Sequence, residues 1–187
     1  MPSPLTENFR SPAALARFFL TTLVGFSLDL WTKALAFQVL ATYPDGRLAS
    51  KVYQLIPGYL HFTVTTNTGA VFGLGQGQRA LFLLVSLAAI AFLTYLFATS
   101  DNQRFYQFIL GMLLAGVLGN MYDRIVFGHV RDMIHALPRY PKLFPWIFNV
   151  ADVLLCTGVG LLLIYSLLHP RHAQPPRRQT SPPPIDN

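Results

Sequence analysis

Charged side chains are scarce in this sequence of 187 residues, of which only 12% are Asp, Glu, Lys or Arg. Soluble globular domains carry roughly 25% charged residues, so the chain lacks the composition of an ordinary water-exposed surface. Hydrophobic residues make up 52% of the sequence, and the mean hydropathy is +0.41. This balance predicts an integral membrane protein.

Several chemical signatures are missing as well. The single cysteine, Cys156, excludes an internal disulfide, and its place in an apolar run predicts a packed core thiol. The sequence has no His-x-x-x-His spacing, Gly-x-Ser-x-Gly elbow or phosphate loop, so we expect no metal and no cofactor. The net charge of +6 comes from scattered basic residues, which predicts that nucleic acid is not a partner.

Four apolar runs approach the roughly 20 residues that a membrane helix needs. We predict helices at about residues 15–40, 80–98, from 105 past 118, and 146–168. The first run could also be a secretory signal cleaved near residues 34–36, but its helical pattern continues beyond Asp29 and Lys33, which favours a retained helix. The predicted fold class is an all-α membrane protein with four transmembrane helices.

The connection between the first two helices predicts a small β cradle. Residues 59–66 alternate apolar and polar side chains, the period of a half-buried strand. We therefore expect a β element that lies on the membrane surface. By contrast, three prolines within residues 133–145 predict a surface loop there, with room for one short helix.

Composition divides the chain into three parts, which are an N-terminal segment at 1–14, the membrane domain at 15–168 and a tail at 169–187. The last 18 residues hold six of the 14 prolines, a composition with too little apolar surface for a core, so we expect a disordered tail. Four spans place both termini on one side of the membrane. The distribution of Lys and Arg leaves the orientation open.

Acids at the ends of the apolar runs are the main functional signal. Asp123 and Asp132 follow the third run, and Asp152 lies near the start of the fourth. Acids near a bilayer are costly and usually functional. Two neighbouring aspartates can share a proton, so that one acts as a base toward water and the other as an acid toward a carbonyl. From the residues alone, a metal-free peptidase and a proton-coupled transporter fit about equally.

Five motifs together resemble a known family in their order and spacing. They are Asp29-Leu-Trp-Thr-Lys33, Asn67-Thr-Gly-Ala-Val-Phe72, Gly119-Asn-Met-Tyr-Asp-Arg124, Val130-Arg-Asp132 and Phe148-Asn-Val-Ala-Asp152. Over roughly residues 15–168 they resemble the motif blocks of the bacterial lipoprotein signal peptidases (signal peptidase II). The resemblance implies a multi-pass enzyme of the bacterial plasma membrane, with an extracytoplasmic β cradle and active site and with cytoplasmic termini. It also implies an aspartic endopeptidase that cleaves signal peptides before a diacylglyceryl-modified cysteine.

The resemblance also implies roles for individual residues. Asp132 and Asp152 match the catalytic dyad. Positions expected to bind substrate or support the site are Asn67, Gly69, Asn120, Asp123, Arg124 and Asn149. Asp29 matches an acid of the first helix, and because Lys33 lies four residues later on the same helix face we expect a structural ion pair. The implied partners are diacylglyceryl-modified prolipoproteins and membrane lipid, and we expect a monomer.

The choice of Asp132 over Asp123 as the partner of Asp152 depends on backbone direction. On a continuous helix two acids nine residues apart point in opposite directions, so both cannot face Asp152. Gly128 offers a break after which Asp132 can turn inward. We expect Asp123 to stay ionised and bonded beside Arg124 and Asn120.

The sequence departs from the family pattern in two places. Thr66 stands where the family usually has an arginine, and Ala70-Val71 where it usually has two alanines. Arg131 replaces a residue that is commonly apolar. These departures change the expected contacts to substrate but remove no carboxylate. We expect the Arg131 side chain to extend toward lipid headgroups.

Overall fold

The computed structural model describes residues 7–69, 75–100 and 103–169. Its helices are α1 (Glu7–Arg10), α2 (Pro12–Leu40), α3 (Arg79–Thr99), α4 (Arg104–Val126) and α5 (Val150–Leu168). In these described ranges, the four helices α2 to α5 are long and apolar enough to cross a membrane. The predicted four transmembrane helices are confirmed. Apart from His169, the proposed tail at 169–187 lies outside the described residues.

Local sequence signals determine where the helices begin and end. The Ser11 hydroxyl accepts a hydrogen bond from the Ala14 amide at 3.3 Å, and Pro12 occupies the first turn of α2, where its missing N–H costs nothing. After α4, Gly128 has a φ of +80°, a conformation that glycine adopts without steric cost. The break predicted at Gly128 is therefore present, and the chain leaves the helix there.

Helix α4 lies at the centre of the bundle, because its glycines let neighbouring helices approach closely. A Cβ at Gly111 would lie 2.7 Å from the Phe18 carbonyl oxygen of α2. A Cβ at Gly116 would lie 2.6 Å from the Ala151 carbonyl oxygen of α5. The bundle core has these buried members: Ala14, Phe18, Leu93, Phe97, Ile109, Leu110, Leu113 and Leu114. This packing brings the start of α5 against the end of α4.

Six short strands form two antiparallel sheets at one end of the bundle. The strands are β1 (Ala41–Thr42), β2 (Ala49–Ser50), β3 (Tyr53–Ile56), β4 (Leu60–Asn67), β5 (Val130–Ala136) and β6 (Ile147–Phe148). Strands β1 and β2 form a hairpin, and the larger sheet has the order β3-β4-β5-β6. The strand predicted at residues 59–66 is confirmed as β4. In the register, Thr65 faces Asp132 and Asn67 faces Val130.

The structure corrects three details of the prediction. The cradle also uses β5 and β6, which come from the connection between α4 and α5, so the loop predicted from residue 133 is wrong for Met133–Ala136. The prolines do not prevent this strand, because they all follow it. Helix α5 begins at Val150 rather than near residue 146, since Ile147 and Phe148 pair with β5. Cys156 is exposed rather than packed in the core.

Candidate active site

Asp132 and Asp152 reach one site from different elements. Asp132 lies on β5 and is 2% exposed, while Asp152 lies in the first turn of α5. Two amides connect them, because Asn149 Nδ2 donates to Asp132 Oδ1 at 2.6 Å and Asn120 Nδ2 donates to Asp152 Oδ1 at 2.8 Å. The two carboxylates predicted as a dyad are thus held in one hydrogen-bonded group.

The orientation of the Asn120 amide follows from its partners. Its Oδ1 accepts hydrogen bonds from Lys33 Nζ at 3.1 Å and from Asn149 Nδ2 at 3.2 Å. An ammonium group can only donate, so the oxygen must face Lys33 and the Nδ2 group must face Asp152. Asn120 thereby presents a donor to the carboxylate.

Asn149 is both the N-cap of α5 and a direct contact of Asp132. Its Oδ1 accepts a hydrogen bond from the backbone N–H of Asp152 at 3.0 Å, and its own backbone N–H donates to Asp152 Oδ2 at 3.2 Å. This reciprocal arrangement is a capping box, which satisfies two free donors at the helix start. The helix cap and the placement of the two aspartates therefore depend on the same side chains.

The surroundings of Asp132 favour its protonated form. Burial and, to a smaller extent, the nearby charge of Asp152 together raise the pKa of Asp132 to about 7, although hydrogen bonds from Asn149 and Asn67 and the charge of Lys33 oppose this change. Desolvation and a like charge both disfavour a carboxylate. Asp132 can therefore take and give a proton near neutral pH.

Behind the site lies a buried chain of alternating charges. Lys33 Nζ is 2.8 Å from Asp29 Oδ2 and 3.2 Å from Asp123 Oδ2, and Asp123 Oδ1 is 2.8 Å from Arg131 Nη2. The Asp29, Lys33 and Asp123 side chains are fully buried. Buried ions are stable only when they are closely paired with opposite charges. The two acidic and two basic side chains here meet that requirement, and their net charge is zero. We call these four residues the charge chain.

The two acids of the charge chain each hold the backbone next to a residue of the predicted dyad. Asp29 Oδ1 accepts a hydrogen bond from the Ala151 amide at 2.8 Å, directly before Asp152. Asp123 Oδ2 accepts from the Arg131 amide at 2.9 Å, directly before Asp132. The chain therefore fixes both segments that carry the dyad.

This arrangement changes two of the predicted environments. The Asp29 and Lys33 ion pair forms as expected, but Asp123 is bonded to Lys33 and Arg131 rather than to Arg124. The prediction that Arg131 extends to headgroups is wrong, since Arg131 is 8% exposed and its guanidinium lies 4.2 Å from the centroid of the Phe127 ring. A buried carboxylate and an aromatic face together stabilise it inside the protein.

Arg124 instead faces the loop that follows β4. Its Nη2 donates to the Gly69 carbonyl oxygen at 2.8 Å, and its guanidinium lies 4.7 Å from the centroid of the Phe82 ring. Asn67 Oδ1 accepts from the Gly69 amide at 2.9 Å. Arg124 thus connects α4 to the loop beside the dyad, while Ala70-Val71 lies outside the described residues.

A cleft of about 880 Å³ opens beside the two aspartates. Its polar wall includes the predicted residues Asn67, Gly69, Asn120, Arg124, Asp132 and Asp152. Its apolar wall includes Phe82, Val85, Ala89, Val117, Phe144, Trp146, Phe148, Val153, Leu155 and Cys156. The aromatic members were missed from the sequence, although the Phe144-Pro145-Trp146-Ile147-Phe148 stretch next to a motif could have indicated them.

The apolar wall extends along the membrane helices. Ala89 is ten residues from the start of α3 at Arg79, which corresponds to about 15 Å of helix. The cleft therefore has a polar end with paired carboxylates and a long apolar part. This shape suits a ligand that combines a peptide with a hydrocarbon group. Within the described residues no group of three or more His, Cys, Asp or Glu side chains could hold a metal ion.

Comparison with known proteins agrees with this geometry. Residues 21–168 match the family model described as Signal peptidase (SPase) II. A lipoprotein signal peptidase of Rhodopirellula baltica is 36% identical over 81% of this chain and 71% of the relative. One from Halalkalibacterium halodurans is 32% identical over 84% of this chain and 96% of the relative. A solved bacterial membrane enzyme superposes with a TM-score of 0.69 at 30% identity, covering 80% of this chain and 87% of that one.

Proposed function

Because the chain belongs to the signal peptidase II family, we propose that Asp132 and Asp152 are the catalytic pair with which it hydrolyses its substrates. The protein is a membrane aspartic peptidase that removes signal peptides from prolipoproteins. The transporter alternative is not favoured by this membership. The observation that supports the proposed pair is the amide network of Asn120 and Asn149, which joins the two carboxylates.

In the proposed mechanism, a water molecule between the aspartates attacks the scissile carbonyl carbon. Asp152, which enters the reaction as the carboxylate, takes a proton from this water, and protonated Asp132 donates its proton to the carbonyl oxygen. The tetrahedral intermediate, a gem-diol, then collapses. The C–N bond breaks, the proton held by Asp152 passes to the leaving nitrogen, and one hydroxyl proton of the diol returns to Asp132 as the C=O bond re-forms, which restores both side chains to their starting states. The pKa of Asp132, raised to about 7 by burial and by Asp152, supports its role as the acid.

The shape of the cleft supports a lipidated substrate. We assign the peptide to the polar wall, where the Asn67 and Arg124 side chains lie, and the diacylglyceryl group to the apolar wall between α3 and α5. Cleavage then falls just before the lipidated cysteine. The acyl chains already lie in bilayer hydrocarbon, so the apolar wall would recognise them by close packing and by placing the modified cysteine beside the two aspartates.

We further propose that the dyad faces outward and that both termini are cytoplasmic. An even number of spans places the termini on one side, and the mature part of a secreted substrate is already across the membrane when its signal is cut. Residues 15–168 would then form the peptidase as a monomer, with residues 1–14 and 169–187 on the cytoplasmic side.

A cleavage assay tests this proposal. The purified full chain in detergent should cut a diacylglyceryl-modified preprotein and leave the same preprotein uncut when it lacks the lipid. The reaction should proceed without added divalent metal. Equal cleavage of both preproteins would exclude the proposed lipid recognition, and an intact lipidated preprotein would exclude the activity.

A further inference from the structure

The outer edge of the β cradle carries apolar side chains that the membrane-spanning helices do not account for. Residues 51–57, which include β3, are exposed throughout, and so are residues 139–143. Their large apolar and aromatic side chains, together with Tyr59, are between 44% and 69% exposed. Contiguous exposed apolar groups of this kind usually mark an interaction surface.

The two segments lie side by side in space. The Arg139 amide donates to the Gly58 carbonyl oxygen at 3.1 Å, and the rings of Tyr59 and Tyr140 have centroids 6.5 Å apart. We call this surface the cradle patch. Its members are Lys51, Val52, Tyr53, Leu55, Ile56, Tyr59, Arg139, Tyr140, Lys142 and Leu143.

The cradle patch is cationic as well as apolar. It holds Lys51, Arg139 and Lys142 and no acidic residue. Among the residues that the structure describes, none of these three cations has a carboxylate within 4.0 Å, since the ion pairs there involve only other residues. A positive surface without internal partners favours an anionic ligand.

The cradle patch begins beside the end of a membrane-spanning helix, the level at which a bilayer has its headgroups. The Lys51 amide donates to the carbonyl oxygen of Leu40 at 2.9 Å, and Leu40 is the last residue of the membrane-spanning helix α2. Tyrosines are enriched at this level, where one end of the ring is apolar and the other is hydrated. Basic side chains there are attracted to anionic lipid.

We propose that the cradle patch docks onto anionic phospholipid headgroups. Its aliphatic and tyrosine side chains enter the interface, while Lys51, Arg139 and Lys142 contact phosphate groups. The proposed function involves a membrane but specifies no headgroup, so this lipid preference goes beyond it.

Docking there would fix the position of the active-site sheet. Strand β3 is the edge strand of that sheet, two strands away from β5, which carries Asp132. The segment 139–143 continues directly into Phe144, Pro145 and Trp146, which line the cleft. Contact with headgroups therefore holds both the sheet and one wall of the cleft at the membrane surface.

A depth measurement tests the proposal. In a Cys156→Ser background, a nitroxide is attached at Leu55→Cys or, as a matched control on the same cradle but outside the patch, at Arg47→Cys. Each full-length protein is reconstituted in vesicles of phosphatidylcholine alone or of an equal mixture with phosphatidylglycerol. The measured quantity is the accessibility of the nitroxide to oxygen relative to a water-soluble nickel complex.

We expect this ratio at Leu55 to rise several-fold in the anionic vesicles, while the ratio at Arg47 stays the same. Combining Arg139→Gln with Lys142→Gln should remove the rise, because each cation near an anionic surface changes the equilibrium constant for contact with the headgroups by roughly fivefold. High salt should reduce it as well.

Three outcomes would overturn the proposal. Equal ratios at Leu55 in both lipids would exclude recognition of anionic headgroups, and a low ratio in both would exclude contact with the bilayer. Dipolar coupling between nitroxides on two molecules would assign the patch to a second copy of this chain. None of these readouts requires cleavage, so the proposed peptidase is tested separately.

Discussion

In the proposed mechanism, two acids of the site react and a third supports them. Asp132 and Asp152 line the cleft, whereas Asp123 is fully buried and bonded to Lys33 and Arg131. Asp123 accepts from Lys33 Nζ and from the backbone N–H, Nε and Nη2 of Arg131, which together occupy the four acceptor positions of a carboxylate. These contacts support the proposal that the first two acids react and that the third has a supporting role.

We expect Asp132→Asn and Asp152→Asn to lower turnover by several orders of magnitude, the scale on which loss of a catalytic acid or base acts. An amide has a similar shape but can neither take nor give the proton. Asp123→Asn should reduce activity mainly by lowering stability. Cleavage of a lipidated preprotein by folded variants checks this. Near-normal turnover in folded Asp132→Asn, with none in equally folded Asp123→Asn, would reverse the assignment.

The pH dependence of stability provides an independent test of Asp132. Its pKa is raised from the ordinary 3.8 to about 7 by burial and by Asp152, so between these values the folded protein holds a proton that the unfolded chain has lost. The folded state therefore loses stability as pH rises through this window, by up to roughly 1.4 kcal/mol per unit. Asp132→Asn removes this loss. Its midpoint of thermal unfolding should exceed that of the wild type more at pH 8 than at pH 5.

The exposed acid Asp45 provides the control for this experiment. Asp45→Asn should show no comparable change of the difference between pH 5 and pH 8. The decisive quantity is the difference in midpoint of thermal unfolding between Asp132→Asn and the wild type. If this difference is the same at pH 5 and at pH 8, as expected for Asp45→Asn, then Asp132 does not hold a proton in the folded protein.

Sequence reasoning identified the acids but not all of their partners. Asp29 and Lys33 lie on one helix, so their spacing alone predicted the ion pair. Arg131 lies on a strand, where neighbouring side chains alternate between faces, and its burial depends on Asp123 and Phe127, which belong to another element. Neither partner could be predicted from the residues next to Arg131.

At the scale of elements, too, local features could be predicted from the sequence and contacts between distant segments could not. The long apolar runs predicted helices α2 to α5, because each run fulfils the length requirement of a bilayer by itself. Strand β5 was missed because the prolines that follow it suggested a loop, and its place depends on pairing with β4, more than sixty residues earlier in the chain. Whether a segment forms a strand depends strongly on the segments it pairs with, so the residues of the segment alone do not predict it well.

We expect the close contact between α4 and α5 to affect activity, because it positions the start of α5. A Cβ at Gly116 would lie 2.6 Å from the Ala151 carbonyl oxygen and 2.7 Å from Leu155 Cγ. We expect Gly116→Ala to destabilise the protein by about 1–3 kcal/mol through overpacking and to lower turnover, because Ala151 adjoins Asp152. Thermal unfolding and cleavage rates measure the two effects.

Gly160 of α5 is the matched control. A Cβ there has no neighbour within 4 Å, so Gly160→Ala should leave activity unchanged and raise stability by roughly 0.5–1 kcal/mol, as expected for glycine within a helix. Equal effects of the two substitutions would show that the α4 and α5 contact is looser than these distances indicate.

At the scale of the whole molecule, the charge chain joins parts that are distant in sequence. Asp29 and Lys33 come from α2, Asp123 from α4 and Arg131 from β5, while the Ala151 amide extends the connection to α5. The sheet and three of the membrane helices are thereby held together by one neutral set of buried ions.

Removing one cation should disrupt this arrangement. We expect Arg131→Leu to destabilise the protein by roughly 3–5 kcal/mol, because it leaves an excess negative charge in the buried chain. Arg47→Leu, which changes an exposed cation, should have little effect. Combining Arg131→Leu with Asp123→Asn should cost less than the sum of the two single changes. Denaturant or thermal unfolding in detergent measures all four variants, and strict additivity would contradict the coupling.

The division of the dyad between β5 and α5 has a consequence for biosynthesis. Ribosomes make Asp132 before Asn149, whose amide holds it, and before Asp152. In the proposed mechanism, a nascent chain that has inserted only α2, α3 and α4 carries one half of the catalytic pair. We therefore expect such a chain to be unable to cut the polypeptides that share the translocation machinery with it. On this assignment, the order of translation delays the onset of proteolysis until α5 has entered the membrane.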